Sequence, residues 1–171
     1  MKTYLFKLSV VAGVLCGLYV YLYNYIPMKN LLWMTFVALP IYFGAGAKRE
    51  EFPHFVTSLV VGIIWGFIYL KLIGLLVGAG VGANIALLLV VGVVTLIMCA
   101  VHLCITGNTW ANKLPIMFGA VASMFSQNGE SAGSIFLTLF GGLLLALLIV
   151  EGTNVIHKPL GEQTSQSSSA N

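Results

Sequence analysis

His102 and two nearby cysteines are the side chains whose types could do chemistry inside an apolar segment. His102 lies three residues after Cys99 and two before Cys104. Imidazole and thiolate suit zinc, but a tetrahedral site needs about three or four such ligands. The other two histidines, His54 and His157, belong to distant segments. We therefore predict no metal and no cofactor, with a composite site as the open alternative. We expect His102 to hydrogen-bond within the protein or to face a solute pathway.

Groups that could carry out catalysis are scarce. The chain contains no aspartate, and it lacks the Gly-x-Ser-x-Gly, His-Glu-x-x-His and phosphate-loop patterns. Ser123, Ser126 and Glu130 are the candidates for an intramembrane hydrolase, but a nucleophile needs a base beside it. No convincing base accompanies them in a span. We predict no catalytic residues and a protein that is not an enzyme.

The composition indicates the solvent that must surround these residues. Hydrophobic residues make up 59% of the chain and charged residues only 8%, and the mean hydropathy is +0.99. A soluble domain carries roughly 25% charged residues, so this chain could not cover a water-facing surface. The net charge of +3 is too small to attract nucleic acid. The lipid bilayer is the expected partner, and a soluble enzyme, a nucleic-acid binder and a disordered protein are excluded.

Six apolar stretches meet or approach the length of about 20 residues that a membrane helix needs. They cover residues 5–26, 31–47, 55–77, 84–105, 114–126 and 133–150. The second and fifth are short, so a five-span chain with one re-entrant segment is an alternative. We predict an all-α, polytopic membrane helix bundle of about six transmembrane helices. It forms a single transmembrane domain over residues 1–158, followed by a polar, disordered cytoplasmic tail over residues 159–171.

A duplicated segment suggests how these spans are organised. The run Leu39-Pro-Ile-Tyr-Phe-Gly-Ala recurs as Leu114-Pro-Ile-Met-Phe-Gly-Ala, with six of seven positions identical, 75 residues later. Each copy belongs to a unit of three spans, residues 5–77 and 84–151. Because three is odd, the second unit enters the bilayer from the opposite side. We predict two inverted three-helix repeats whose short segments are broken by proline and glycine, an arrangement common in transporters.

Glycine pairs four residues apart predict close helix contacts. They are Gly13 and Gly17, Gly62 and Gly66, and the series Gly74, Gly78 and Gly82. We expect them to pack helices of one chain, with a dimer face as the alternative. A homo-oligomer remains possible because six short helices make a thin bundle.

Basic residues predict the orientation in the membrane, since cytoplasmic loops retain lysine and arginine. With the N-terminus inside, the cytoplasmic side holds Lys2, Lys7, Lys48, Arg49, Lys113 and Lys158, whereas Lys29 and Lys71 lie outside. Both termini are therefore expected in the cytoplasm. The first apolar run is too long for a signal peptide, so we expect an uncleaved first span.

Several segments resemble one bacterial family. The short second span with the Gly62 to Trp65 stretch, the run Leu96-Ile-Met-Cys, and the later Leu114-Pro115, Phe118-Gly-Ala, Phe125 and Gly129 are similar to the YcdZ-like inner-membrane proteins. The resemblance covers most of residues 5–150. It implies a small polytopic protein of the bacterial inner membrane and, because that family has no known function, no particular chemistry.

The leading hypothesis is a small-solute channel or permease, with passive flux of a neutral or weakly charged small molecule. Exposed carbonyls and hydroxyls along the short segments could replace the water around a solute. The pathway-lining candidates are Pro40, Phe43, Gly44, Pro115, Phe118, Gly119, Thr57, Thr138, Ser123 and His102. The alternatives are a non-transporting scaffold or partner subunit of a larger membrane complex, and a sensor that signals through its cytoplasmic loop or tail.

Overall fold

The computed structural model describes residues 2–107 and 109–157, and within them it contains helices and no strand. The helices are α1 (Lys2–Tyr23), α2 (Leu32–Gly44), α3 (Phe52–Gly78), α4 (Ala83–Ala100), α5 (Leu114–Ser126) and α6 (Ala132–His157). A π-helical turn, Val101–Ile105, extends α4. The predicted all-α bundle with six helices is confirmed. The predicted tail over residues 159–171 lies outside the described residues.

Helix length separates the six helices into two classes. Among the described residues, α1, α3, α4 with its π turn, and α6 are long and apolar enough to cross a membrane. The helices α2 and α5 have 13 residues each. At 1.5 Å per residue each is about 20 Å long, which is less than the hydrocarbon thickness of about 30 Å. The chain therefore combines four full-length helices with two short ones.

The short helices lie parallel to the long helices on which they pack. Lys113, at the start of α5, contacts Ser58 of α3, and Gly129, just after α5, contacts Leu70 of α3. The helix α2 packs on α6 in the same way, and both pairs belong to the core of the bundle. The helices α1 and α4 pack at the periphery, on α6 and α3 respectively.

The two ends of the chain come together at one end of the bundle. The Tyr4 hydroxyl of α1 donates to Asn154 Oδ1 of α6 at 3.2 Å. Farther along, the Tyr23 hydroxyl lies 2.6 Å from the Thr138 hydroxyl. From the first contact to the second, the residue number increases along α1 and decreases along α6. These two helices are therefore antiparallel. The beginning of α1 and the end of α6 therefore lie on the same side.

Two glycines allow backbones to touch in the core. A Cβ atom added to Gly62 of α3 would lie 2.7 Å from Met117 Cα of α5. One added to Gly142 of α6 would collide with the Thr35 carbonyl oxygen of α2. Distances below 3.0 Å are essentially never seen for a real Cβ atom. Each short helix is thus held against a long one at a site that only glycine permits.

The prolines behave differently from the predicted breaks. Pro115 is the second residue of α5, a position whose backbone nitrogen has no helical partner to lose. It therefore starts a helix and breaks none, and the prediction of a broken segment there is wrong. Pro40 is the ninth residue of α2, which continues to Gly44. The two copies of the repeated segment consequently lie at different positions within their helices.

The glycine pairs also divide into two groups. Gly62 and Gly66 are buried against α5, so the predicted contact within one chain is confirmed there. For Gly13 and Gly17 of α1 and for Gly74, Gly78 and Gly82, nothing in the described structure lies within 4 Å of an added Cβ atom. The prediction is wrong for these five, because their helices turn the glycines away from the core.

Candidate functional site

His102 is buried at the π-helical turn that ends α4, with only 5% of its surface exposed. The Trp65 indole Nε1 donates a hydrogen bond to His102 Nε2 at 3.0 Å. His102 Nδ1 lies 2.9 Å from the Ala111 carbonyl oxygen and from Thr106 Oγ1. Because Nε2 accepts a hydrogen bond, we assign the proton to Nδ1, which donates to the carbonyl. A neutral imidazole with both nitrogens occupied has no free lone pair for a metal.

The other metal-binding side chains do not gather around this imidazole. Within residues 2–107 and 109–157, no group of three or more His, Cys, Asp or Glu residues converges. The three cysteines are free thiols: Cys16 and Cys99 are half-buried, and Cys104 is exposed. Of the two expectations for His102, the structure places it in hydrogen bonds inside the bundle.

Lys113 joins the start of α5 to α3 near the same end of the bundle. Its backbone N–H donates to Ser58 Oγ at 3.0 Å, and its ammonium donates to Glu51 Oε2 at 2.9 Å. The ammonium also lies 5.5 Å from the centre of the Phe55 ring. The hydrogen bond from Lys113 holds the pKa of the Glu51 carboxyl below its ordinary value. One residue thus satisfies a buried hydroxyl and a carboxylate together.

A second polar cluster lies where α1, α2 and α6 meet. The Tyr23 hydroxyl pairs with Thr138, and the Tyr19 hydroxyl lies 3.1 Å from Thr35 Oγ1. Thr35 also reaches the Thr138 carbonyl oxygen at 3.4 Å. A groove of about 360 Å³ borders this cluster and is lined by Tyr19, Tyr23 and Thr138, with apolar residues around them. Hydroxyls are therefore concentrated at one edge of an apolar groove.

The ten predicted pathway residues are divided between surface and core. Pro40, Gly44, Pro115 and Phe118 are exposed, Phe43 and Thr57 are half-buried, and Gly119, Ser123, Thr138 and His102 are buried. Thr57 donates to the Pro53 carbonyl and Ser123 to the Gly119 carbonyl, so both hydroxyls are used locally. A Cβ atom added to Gly119 would lie 3.2 Å from Val37 of α2, which brings the two short helices together at that glycine.

Sequence reasoning did not single out the partners that organise these clusters. Trp65, Ser58 and Lys113 have buried or close polar contacts, yet each was an ordinary residue in its segment. A usable pattern existed in the glycines. Gly142 follows Gly62 by 80 residues, and the same spacing aligns Thr138 with Ser58.

The fold and these clusters together define the class of protein. Large apolar side chains are exposed along all six helices, whereas the core buries hydroxyls and one imidazole. That distribution is typical of a multi-pass helical membrane protein, in which lipid replaces water around the bundle.

The chain belongs to a family described as "Protein of unknown function (DUF1097)", whose model matches residues 9–156. No curated protein and no solved structure matches the chain.

Proposed function

We propose that this protein is a small-solute channel or permease made of two inverted three-helix units. The first unit comprises α1 to α3 and the second α4 to α6. The observation that carries the proposal is the repeated glycine contact, Gly62 with α5 and Gly142 with α2. Inverted repeats with short helices at matching positions are common in transporters.

The buried positions of the long helices support this pairing. Every buried residue of α3 has a buried counterpart in α6 80 residues later, as Gly142 follows Gly62. The α3 set is Phe55, Ser58, Leu59, Gly62, Ile63, Gly66 and Tyr69, and their counterparts in α6 are Ile135, Thr138, Leu139, Gly142, Leu143, Ala146 and Ile149. The helix α6 buries Leu145 and Thr153 in addition. A spacing at which all seven buried residues of α3 have buried counterparts is hard to obtain from unrelated helices.

The buried residues of the short helices α2 and α5 match at a spacing of 82 residues, slightly longer than the 80 of the long helices. The buried residues of α2 are Met34, Thr35, Ala38 and Tyr42, and each has a buried counterpart in α5 82 residues later, as Ala120 follows Ala38. The atoms nearest the two core glycines are related in the same way, since Thr35 and Ala38 face Gly142 as Met117 and Ala120 face Gly62. The two units therefore repeat contacts as well as helix lengths.

A solute would pass where the two short helices meet. Neither α2 nor α5 contains a charged residue. The buried residues Thr35, Tyr42 and Ser123 contribute hydroxyls from these helices, and the Tyr42 hydroxyl donates to the Lys48 carbonyl oxygen. This supply of polar atoms suits a small neutral or weakly charged molecule more than a multivalent ion, and it favours passive flux.

The proposal extends to location and chemistry. We place the protein in the bacterial inner membrane with both termini in the cytoplasm, because basic residues favour that side. The resemblance to the YcdZ-like proteins agrees with this placement. We propose no enzymatic activity and no nucleic-acid partner, since the chain has no aspartate and a net charge of only +3. The solute is the expected ligand, and a homo-oligomer is compatible with the fold.

Stopped-flow light scattering on proteoliposomes tests the proposal with a panel of small neutral solutes and weak acids. For at least one solute, we expect vesicles that contain the protein to re-swell faster than protein-free vesicles. Gly119→Leu should abolish that difference, because its side chain would press on Val37 and Ile41 and alter the contact between α5 and α2. Gly92→Leu is the matched control, since nothing in the described structure lies within 4 Å of its added Cβ atom. A folded, inserted protein that accelerates no solute would refute the channel.

The alternative is a non-transporting scaffold or partner subunit. It is favoured by Gly13 and Gly17 of α1, which leave space that nothing in the described structure fills. Under this alternative, Gly13→Leu would release a co-purifying membrane partner, and Gly119→Leu would leave that partner bound. The flux assay and the co-purification therefore separate the two functions.

A further inference from the structure

A groove lies beside the C-terminal part of α3, at the turn between α5 and α6. It has a volume of about 490 Å³ and is lined by Phe67, Leu70, Lys71, Gly74, Leu75, Asn128 and Gly129. The α3 residues in this set recur every three or four positions, so they form one face of the helix. Leu75 is 67% exposed and Phe67 41% exposed. The groove therefore opens to the surroundings of the bundle.

The lining of the groove combines apolar residues with two polar ones, Lys71 and Asn128. The turn places Asn128 at φ 50° and Gly129 at φ 80°, which tightens the chain directly after α5. The Leu70 side chain lies 3.0 Å from the Cβ position of Gly129, so the turn is level with Leu70. Beyond that level α3 continues for eight residues to Gly78, or about 12 Å. The polar turn thus lies about two helical turns inside the end of α3.

The turn between α5 and α6 offers a ligand the side chain of Asn128, because its backbone N–H groups are already hydrogen-bonded. The Asn128 N–H donates to the Phe125 carbonyl oxygen at 3.1 Å, and the Gly129 N–H donates to the Met124 carbonyl oxygen at 2.9 Å. Lys71 is the charged residue of this α3 segment, which otherwise reads Leu-Ile-Gly-Leu-Leu-Val-Gly to Gly78. The structure pairs Lys113 with Glu51 and gives Lys71 no carboxylate partner among the residues it describes. An exposed ammonium beside apolar residues suits an occupant with a negatively charged head and an apolar body.

We propose that this groove binds one anionic phospholipid of the surrounding bilayer. Lys71 and Asn128 hold its phosphate, since an ammonium and an amide N–H₂ are both donors to phosphate oxygens. An acyl chain lies along Gly74 between Phe67 and Leu75, where the missing side chain of glycine leaves a notch. This site is separate from the contact between α2 and α5 that the transport proposal uses.

Native mass spectrometry of the full chain in detergent tests the site with added phosphatidylglycerol and phosphatidylcholine of identical acyl chains. We expect the wild-type protein to retain one phosphatidylglycerol with about fivefold preference, which corresponds to about 1 kcal/mol for one lysine near anionic lipid. Lys71→Gln should reduce the ratio to about one. Lys29→Gln is the matched control, because Lys29 is also exposed and lies outside the groove, and it should keep the preference.

A second pair of variants tests the notch without changing charge. The leucine side chain of Gly74→Leu fills the groove. The variant should still fold, because leucine favours helix and nothing in the described structure lies within 4 Å of the added Cβ atom. Gly78→Leu, one turn farther along and outside the groove, is its control. We expect Gly74→Leu to lose the bound lipid and Gly78→Leu to keep it.

Three results would overturn the proposal. The first is a wild-type protein without preference for phosphatidylglycerol, and the second is a preference that Lys71→Gln or Gly74→Leu leaves intact. The third is displacement of the lipid by excess inorganic phosphate, which would assign the site to a free anion.

Discussion

At the scale of single residues, several polar side chains of this bundle are hydrogen-bonded to partners on other elements. His102 is fixed from both sides of its ring, by Trp65 of α3 and by the Ala111 carbonyl. Lys113 connects a hydroxyl and a carboxylate of the α3 region to α5. Removing the partner of His102 or of Ser58 would leave a buried polar group unpaired, which costs about 1–3 kcal/mol. These residues therefore hold the helices in place, whatever further role they have.

The pair of Glu51 and Lys113 makes stability depend on pH. The pKa of Glu51 is lowered in the folded protein, so the unfolded chain binds the proton more tightly. The pair then stabilises the fold above the ordinary glutamate pKa of about 4.3, and this contribution disappears as the pH falls through the lowered value. We expect the melting temperature of wild type to exceed that of Glu51→Gln near neutral pH and the difference to vanish in acid.

The control for this prediction is Glu50→Gln, the neighbouring acid, for which the structure records no salt bridge among its described residues. Because the Glu51 side chain is 38% exposed, the difference should be small and should decrease with added salt. A difference that persists unchanged at low pH would show that Glu51 acts through something other than its charge.

At the scale of helices, the contact between a short and a long helix depends on the absence of a side chain. Gly62→Ala and Gly142→Ala should each destabilise the protein by about 1–3 kcal/mol, since the added methyl group meets backbone that cannot move aside cheaply. Gly74→Ala should gain up to about 1 kcal/mol, because alanine favours helix and the site is open. Thermal unfolding in detergent, followed by size-exclusion chromatography, measures all three.

The comparison of Gly62→Ala with Gly142→Ala also tests the relation between the two units. Similar losses are expected if the contacts are equivalent. A protein in which Gly62→Ala is severe and Gly142→Ala is neutral would contradict that equivalence, even though both variants add the same methyl group.

At the scale of the whole molecule, the contact of Tyr4 with Asn154 places the beginning of α1 and the end of α6 on one side. Reporters that fluoresce only in the cytoplasm should therefore give the same result at either terminus. We expect both to fluoresce, and a reporter inserted at Gly80, in the turn between α3 and α4, to remain dark. Opposite results for the two termini would be incompatible with the antiparallel packing of α1 on α6.

The helices and their surroundings could be predicted from the sequence because they depend on local composition. A run of apolar residues must be helical in lipid, since every backbone amide needs a partner within the segment. The duplicated Leu-Pro-Ile segment likewise pointed to α2 and α5, which are the two helices of 13 residues. These features require no knowledge of which residues lie opposite one another.

The depth and the partner of each residue were decided only by the tertiary structure. The repeated segments differ by 75 residues, whereas the buried faces of α2 and α5 match at 82. The difference between the two spacings is seven residues, or about two helical turns. A shift by two turns leaves a residue on the same face of its helix and changes only its position along the helix axis. Hydrophobic periodicity does not report that position. For the same reason Pro40, Pro115 and Phe118 are exposed, while Ser58 and Thr35 are buried. The sequence pattern does not distinguish between positions one or two turns apart on the same helix face. The close contacts of Gly62 with α5 and of Gly142 with α2 determine which of these positions is buried.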